Sequence, residues 1–257
     1  MIKLLSSSVF ILILFSADFI AAQSPDSVSV PEGKAGRLVV STLLAPTILI
    51  GAGIGTMYDR GFYSSYDAYD CIQRNYPGFQ TNIDTYMLLV PTLGVYGLNL
   101  AGVKGKHGFL DRSIILLSSV ALSSVTTGLV KSSTDVLRPD GSNYRSFPSS
   151  HTALAFVSAT FLYEEYKDRS IWYGIAGYSI ATASGVLRMM NNKHWMSDVL
   201  VGAGIGILAT KAMYLLYPSI KSGVAGKRAN NENNSRLSLI PYYETDHFGI
   251  YMHYQFR

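Results

Sequence analysis

Residues 113–139 read SIILLSSVALSSVTTGLVKSSTDVLRP, an apolar stretch of helical length followed by a lysine, an arginine and a proline. The apolar part approaches the roughly 20 residues that a bilayer-spanning helix needs. Its serines, threonines and glycine let helix backbones approach closely in a bundle. The spacing predicts that Lys131 ends the apolar helix and that Arg138, two turns later, points toward the same polar end of the bundle. Pro139 is predicted to stop the helix there.

Five further apolar stretches of similar kind flank this one, and together they predict a mainly α fold. Charged residues make up 15% of the chain, against roughly 25% in average soluble proteins, and the mean hydropathy is +0.20. This composition excludes a disordered chain and a nucleic-acid-coating protein. We therefore expect a bundle of about six apolar helices, embedded in a membrane. The six stretches are about Leu38–Met57, Tyr86–Val103, Ser113–Val130, Thr152–Tyr163, Ile171–Leu187 and Val199–Tyr217.

The two ends of the chain differ from the centre. Residues 1–22 have the basic start, apolar run and small residues of an export signal, with an uncleaved anchor as the alternative. Residues 23–36 read as a polar linker, 37–218 as the helical domain and 219–236 as a second polar linker. Residues 237–257 show strand-like patterning, which predicts a short β-hairpin. Insertion of this tail into an outer membrane is a weaker alternative, because two strands cannot form a barrel alone.

Basic residues in the connections give a topology. One group lies between the second and third stretches, one between the fourth and fifth, and one after the sixth. If every stretch spans, these groups share one side, which the positive-inside tendency makes cytoplasmic. A cleaved signal would place residue 23 outside, which conflicts with six spans. Either one stretch does not cross, the signal is retained, or the bundle is peripheral. The groups are Lys104, Lys106 and Arg112; Lys167 and Arg169; Lys221, Lys227 and Arg228.

Two glycine-rich pentapeptides, residues 51–55 and 202–206, share the sequence GAGIG. Their glycine spacing does not fit a dinucleotide-binding loop, and their flanks are too dissimilar for an internal repeat. The pentapeptides therefore predict close helix packing. The single cysteine, Cys71, excludes an intrachain disulfide and a multi-cysteine metal site.

Three polar segments border the apolar helices and carry the chemistry: residues 131–139 (KSSTDVLRP), 147–151 (FPSSH) and 188–198 (RMMNNKHWMSD). A helix beginning near His151 would offer free backbone N–H groups and a positive dipole end to an anion. Asp198 follows His194 by four residues, so its carboxylate can accept the Nδ1–H and leave Nε2 as a nucleophile. Each residue alone is typical of a helix cap or surface. Together they predict an anion site.

These segments closely resemble the three motifs of the type 2 phosphatidic acid phosphatase superfamily, which includes bacterial acid phosphatases and vanadium haloperoxidases. The motifs are Lys-x6-Arg-Pro, Pro-Ser-x-His and Ser-Arg-x5-His-x3-Asp, and the resemblance covers about Gly105 to Pro218. Two departures are visible: Ser150 stands where Gly is commonest, and Leu187 replaces the Ser before Arg188. Ser150 fits if its φ is negative, and Leu187 would remove one supporting hydrogen bond.

The resemblance implies a role for each motif residue. His194 would attack phosphorus, Asp198 would orient it, and His151 would protonate the leaving oxygen and then activate water. The phosphoryl oxygens would be bound by Lys131, Arg138, Ser149, Ser150 and Arg188. Fixed cations can stabilise the transferring phosphoryl group, so we expect hydrolysis through a phosphohistidine without a metal or other cofactor.

The expected substrate is a membrane lipid phosphate or pyrophosphate, since the site lies at the ends of apolar helices in an exported chain. Lipid A, undecaprenyl pyrophosphate, phosphatidate and phosphatidylglycerophosphate all remain open. The expected location is the cell envelope, in the inner membrane with the site facing the periplasm. The bilayer is an expected partner and nucleic acid is not, while the oligomeric state stays open. The alternatives are an exported acid phosphatase for small phosphomonoesters, a haloperoxidase, and an inactive envelope binding protein.

Overall fold

The computed structural model describes residues 34–60, 62–232, 237–244 and 247–254, with side chains for 42–60 and 62–222. The predicted signal segment lies outside the described residues. The mainly α fold is confirmed. In chain order the helices are α1 (Lys34–Gly55), α2 (Ser65–Asn75), α3 (Ile83–Met87), α4 (Val90–Leu100), α5 (Phe109–Ser132), α6 (Ser150–Tyr166), α7 (Ile171–Met190) and α8 (Met196–Glu232).

Two strands follow the last helix, β1 (Leu237–Glu244) and β2 (His247–Tyr254). They pair antiparallel, with Leu237 opposite Tyr254 and Glu244 opposite His247. The two residues that connect them lie outside the described part. The chain divides into two compact units, Met1–Tyr214 and Leu215–Arg257. All the predicted site residues belong to the first unit.

Helix α6 lies at the centre of the first unit. Its side chains are buried on nearly every face, and it packs against α4, α5 and α7. The main apolar cluster joins Ala155, Phe156 and Ala159 of α6 to Leu200 and Ala203 of α8. A second cluster, around Phe147, Val201 and Ile205, lies below the loop that precedes α6. This packing fixes the start of α6, where the second motif lies.

Helix α5 has an inverted polarity: three of its hydroxyl side chains lie on the buried face, and most of its large aliphatic side chains are exposed, although Ile115 is buried. Ser119 and Ser123 are fully buried and Thr127 is 2% exposed, whereas Leu117 and Leu129 are 67% and 64% exposed. Ser119 and Thr127 satisfy their hydroxyls on the carbonyl four residues earlier. A helix in water normally shows the reverse pattern, with its apolar stripe facing the core.

Among the described residues, two helical segments are long and apolar enough to cross a membrane, Phe109–Ser132 and Met196–Ser222. Within the part of α1 whose side chains are described, the apolar segment is Thr42–Gly55. Among the described residues, length and composition thus mark two of the six predicted apolar stretches as candidate spans. The central helix α6 has 17 residues, and its burial comes from neighbouring helices of the same unit.

Two element boundaries differ from the sequence prediction. Helix α5 ends at Ser132, so Arg138 and Pro139 lie in a loop and not at a helix end. Ser and Thr favour such an end because their side chains compete for backbone groups, and the Thr134 hydroxyl bonds the carbonyls of Val130 and Phe147. Helix α8 continues through Glu232, so most of the segment predicted as a polar linker, 219–236, is helical.

The helices α2 and α3 were not predicted, because both are short and α2 is polar. Helix α2 nevertheless carries a recognisable start signal. Ser64 accepts from the backbone N–H of Asp67, and the Asp67 carboxylate accepts from the N–H of Ser64, which is a capping box. The pair Ser64-x-x-Asp67 could have located this helix from the sequence.

Candidate active site

Four helix ends meet at one end of the first unit. Helices α5 and α7 finish there, and α6 and α8 begin there, so each motif is carried by a helix end or by the loop that leaves it. A direct hydrogen bond joins two of them, because the Ser149 N–H donates to the Asp198 carbonyl (3.0 Å). The motifs lie up to 67 residues apart in the sequence (Lys131 to Asp198), but they come together at this end of the first unit.

Ser149 caps the start of α6, the helix that was predicted to begin near His151. Its Oγ accepts hydrogen bonds from the Thr152 N–H (3.3 Å) and the Thr152 hydroxyl (2.9 Å), so its own hydrogen is left to donate. The first intrahelical bond of α6 is donated by Ala153. The N–H groups of Ser150 and His151 precede it and remain open to an anion. Ser150 has the helical φ of a first-turn residue, so the departure from glycine brings no backbone strain.

The His194–Asp198 pair is formed and buried. His194 Nδ1 lies 3.2 Å from Asp198 Oδ2, and the two side chains are 2% and 0% exposed. The same oxygen accepts from the Ser146 hydroxyl (2.5 Å) and the Trp195 N–H (2.9 Å). With Nδ1 directed at the carboxylate, the tautomer that carries its hydrogen there leaves the Nε2 lone pair free.

The electrostatics of the site keep both histidines neutral at neutral pH. Burial disfavours the imidazolium and lowers the pKa of His194 to about 4; Arg188 and Lys131 act in the same direction, against the hydrogen bond and charge of Asp198. Burial and the positive charge of Arg188 also lower the pKa of His151. These influences mean that Arg188 and Lys131 lie close enough to both rings to act on them.

The three predicted cations are held in different ways. Lys131 Nζ donates to the carbonyl of Arg145 (3.0 Å). Arg138 lies in a turn whose backbone pairs with Asn143, and its Nε is buried without a partner among the described residues. Arg188 Nη1 donates to Asp84 Oδ2 (2.9 Å), while its Nε is likewise buried and unpaired in the described part of the chain. Each of the two guanidinium groups thus has an unpaired Nε–H donor that can bind an anion.

The sequence prediction missed three residues that hold the motif residues in place. Asp84, 1% exposed, accepts from Arg188 and from Asn191 Nδ2 (3.1 Å). Asn191 also exchanges hydrogen bonds with the backbone of Thr81 in both directions, each 2.8 Å long. Ser146, fully buried, supports Asp198 as described above. Asn191 lies inside the third motif segment, at a position that the motif leaves variable, and no motif or periodicity links Asp84 or Ser146 to the site.

Two clefts flank the cations. One, about 670 Å³, reaches Arg188 and is walled mainly by polar residues of segments 78–85 and 191–193. The other, about 430 Å³, reaches Arg138 and carries Tyr58, Tyr66 and Trp195. Tyr66 packs edge-on against Trp195, with ring centroids 5.1 Å apart. Arg188 therefore borders a polar cleft and Arg138 an aromatic one, while His194 and His151 line neither.

A separate polar cluster lies at the far end of the same helices. Glu165 at the end of α6 is 3% exposed and accepts from His107 Nδ1 (2.7 Å) and from the hydroxyl of Tyr214 (2.8 Å). Arg112, which the sequence placed in a basic connection, is 5% exposed and donates to the His107 carbonyl. His107 is thus paired with a buried carboxylate.

Comparison with known proteins agrees with the motifs. Residues 112–221 match the model of the PAP2 superfamily. The matched segment is less than half of the chain. The resemblance that the three motifs predicted is thereby confirmed for the stretch that contains them. The roles of the individual residues within this stretch stay predictions.

A curated relative is the lipid A 1-phosphatase of Porphyromonas gingivalis, 41% identical over 139 residues. The match covers 53% of this chain and 31% of that protein, so the chain spans about a third of its relative's length. Two crystal structures are also similar. LpxE of Aquifex aeolicus is 21% identical, with a TM-score of 0.43 and coverage of 56% of this chain and 93% of that one. The first transmembrane PAP2 type phosphatidylglycerolphosphate phosphatase from Bacillus subtilis is 22% identical, with a TM-score of 0.45 and coverage of 72% and 96%.

Proposed function

We propose that this protein is a lipid phosphatase that hydrolyses a phosphate ester through a phosphohistidine at His194. The observation that carries the proposal is the buried His194–Asp198 pair, on whose imidazole the charges of Arg188 and Lys131 act. A transferring phosphoryl group needs charge stabilisation and in-line positioning, and this arrangement offers both. The relative from P. gingivalis, named for its action on lipid A, supports a lipid substrate.

The first half of the proposed reaction transfers phosphate to the protein. His194 Nε2 attacks phosphorus, a P–N bond forms and the P–O bond to the alcohol breaks. His151, at the start of α6, gives its proton to the departing oxygen. Asp198 stabilises the positive charge that develops on the His194 ring. The guanidinium groups of Arg138 and Arg188 hold the equatorial oxygens.

The second half releases phosphate. His151, now neutral, takes a proton from a water molecule, whose oxygen attacks phosphorus as the P–N bond breaks. Inorganic phosphate leaves and His194 recovers its lone pair. One residue thus acts as acid and then as base, as in other double displacements. The bound phosphoryl group, being anionic, raises the proton affinity of His151 during the cycle.

We also propose that the first unit lies in a membrane with the site end facing the periplasm. The inverted polarity of α5 supports this, because exposed leucines and buried hydroxyls suit a lipid environment better than water. The connections that precede α5 and follow α6 meet at the far end, where Arg169 Nε donates to the Lys104 carbonyl (2.7 Å). Their positive charges favour a cytoplasmic far end.

The chemistry can be tested by incubating the protein with a ³²P-labelled substrate in the presence of EDTA. The measurement is the acid-labile ³²P that becomes bound to the protein. We expect labelled protein from the wild type and none from His194→Ala. His151→Ala should still become labelled with p-nitrophenyl phosphate, whose good leaving group needs little acid catalysis, but should lose its label slowly. Label retained by folded His194→Ala would refute the assignment of the nucleophile, and activity abolished by EDTA would refute the metal-free reaction.

A further inference from the structure

Ser146 is a buried hydroxyl residue that contacts Asp198 and that none of the three motifs includes. It precedes the second motif and is 0% exposed. Its Oγ donates to Asp198 Oδ2 over 2.5 Å, whereas His194 Nδ1 lies 3.2 Å from the same oxygen. Asp198 is therefore bound at least as closely to Ser146 as to the imidazole that it is expected to orient.

The first motif segment fixes the position of this hydroxyl. Each of three consecutive residues, 145–147, is hydrogen-bonded to the segment 131–136. The bonds join Lys131 Nζ to the Arg145 carbonyl (3.0 Å), the Ser146 N–H to the Val136 carbonyl (3.0 Å) and the Thr134 hydroxyl to the Phe147 carbonyl (3.1 Å). Because the backbone on both sides of Ser146 is held, its hydroxyl is oriented before a substrate binds.

The two carboxylate oxygens of Asp198 have unequal environments. Oδ2 accepts hydrogen bonds from Ser146, from the Trp195 N–H (2.9 Å) and, in the tautomer described above, from His194. Oδ1 is buried and has no partner among the residues that the structure describes. Each donor on Oδ2 stabilises the negative charge of the carboxylate. Ser146 therefore competes with the imidazole for the same oxygen.

We propose that Ser146 is a positioning residue that acts through Asp198 in two ways. It holds Oδ2 toward His194, and it weakens the stabilisation that this oxygen gives to the imidazolium, so the nucleophile stays unprotonated in acid. The first motif segment thus acts on the nucleophile as well as on the phosphate. This inference rests on the proposed phosphatase function and adds a residue to its site.

Removal of the hydroxyl should raise the lower pH limit of activity. Without Ser146, Asp198 becomes a stronger acceptor for Nδ1–H, which stabilises the imidazolium and raises the pKa of His194. Since attack requires the neutral ring, activity is then lost at a higher pH as the pH falls. The charged groups at the site are unchanged in this variant, so they cannot cause the shift. They are Asp84 of α3, Lys131 of α5, Arg138 of the following loop, Arg188 of α7, Asp198 of α8 and, when protonated, His151 of α6.

The test measures kcat/KM of the full chain in detergent from pH 3.5 to 8 with p-nitrophenyl phosphate. Ser146→Ala should move the acid limb up by about one pH unit, the size expected for one hydrogen bond to a charged group. Its kcat at the optimum should fall about tenfold as Asp198 loses its orientation, while KM stays within about twofold. Ser146→Cys, whose thiol is a weak donor, should give an intermediate acid limb.

Two further measurements separate positioning from a general loss of structure. Ser119→Ala removes another fully buried hydroxyl, which bonds the Ile115 carbonyl within α5 and should leave the acid limb in place. Titration of His194 by ¹⁵N NMR, with its signal identified by its absence in His194→Ala, should show the raised pKa in Ser146→Ala without any turnover. Thermal unfolding checks that each variant is folded.

The outcomes separate the positioning role from the function on which it rests. Turnover by folded Ser146→Ala, with the acid limb and the titration of the wild type, overturns the positioning role and leaves the phosphatase intact. An equal shift in Ser119→Ala also overturns the positioning role. A raised pKa of His194 in a Ser146→Ala protein whose wild type hydrolyses no phosphate ester supports the positioning role and overturns the phosphatase.

Discussion

Asp84 lies 104 residues before Arg188 in the sequence, yet it fixes the orientation of that guanidinium. The two side chains are 1% and 11% exposed. Breaking a buried pair by removing one charge is costly, about 3 kcal/mol or more. We therefore expect Asp84→Asn to lower the free energy of unfolding, and to lower kcat/KM about 100-fold because the Arg188 guanidinium loses its orientation.

The matched control is Asp70→Asn. Asp70 also pairs with an arginine, Arg74, but both side chains are more than half exposed. Exposed pairs contribute little, commonly less than about 1 kcal/mol, so kcat/KM should change less than about twofold. Similar losses in the two variants would show that Asp84 acts through general charge and not through Arg188.

The pH dependence of kcat/KM follows from the two histidines. His194 must be neutral to attack, and its pKa is lowered to about 4, so activity should fall only below that pH. His151 must be protonated to donate, and its pKa is lowered from its ordinary value of 6.5, so activity should fall on the alkaline side before neutrality. For a lipid phosphate substrate, kcat/KM should therefore be highest between about pH 4 and 6.5.

The choice of leaving group distinguishes the acid limb of the pH profile, assigned to His194, from the alkaline limb, assigned to His151. With p-nitrophenyl phosphate the departing oxygen needs little protonation, so the alkaline limb should flatten while the acid limb near pH 4 stays. The measurement is kcat/KM from pH 3.5 to 8 with each substrate in the same detergent. A maximum above pH 7.5 for the lipid would contradict the assigned roles.

At the scale of whole elements, the glycines of α8 set how closely the site helices approach. A Cβ on Gly202 would lie 2.5 Å from the Ser149 carbonyl oxygen, and one on Gly206 would lie 2.2 Å from that of Ala153. Gly53 and Gly204 are similarly crowded, whereas Gly51 and Gly55 face open space. The predicted close packing is thus confirmed for the α8 pentapeptide, and for α1 only at Gly53.

We expect Gly202→Ala to displace the start of α6, because the crowded neighbour is backbone. Overpacking of this kind costs about 1–3 kcal/mol. The melting temperature should fall, and kcat/KM should fall about tenfold as Ser149 and the open N–H groups shift. The control Gly51→Ala changes the same position of the other pentapeptide and should be neutral or slightly stabilising, since alanine favours helix. Equal responses would contradict the packing argument.

The elements that could be predicted from the sequence are those with local signals. The six apolar stretches each correspond to a helix, and the motif spacings correctly place Ser149 and Asp198 at helix starts. Asp84 and Ser146 carry no such signal, and Asn191 stands at a variable position of the third motif. Their roles arise only when distant segments meet. The end of α5 could not be predicted correctly from Pro139, a strong helix-breaking signal, because the weaker signal of the serines and threonines before it ends the helix earlier, at Ser132.

For the whole molecule, the exposed apolar face of α5 predicts how the protein fractionates. With Leu117 and Leu129 exposed and Ser119 buried, the protein should remain in the membrane after alkaline carbonate washing and be extracted only by detergent. Exposed apolar surface of this extent is not expected on a soluble monomer. Recovery of active enzyme in the soluble fraction would favour the exported acid phosphatase for small esters.

The orientation of the molecule can be tested because the chain has a single cysteine, Cys71. In a Cys71→Ser background, we expect Ser142→Cys, in the exposed loop at the site end, to react with a membrane-impermeant maleimide in spheroplasts, where the outer membrane is open. Lys106→Cys, at the far end, should react only after the inner membrane is permeabilised. Leu117→Cys, on the exposed face of α5, should stay unreactive in both, because a thiol in hydrocarbon is neither hydrated nor ionised. Labelling of Lys106→Cys in intact spheroplasts would invert the proposed topology, and labelling of Leu117→Cys would remove α5 from the bilayer.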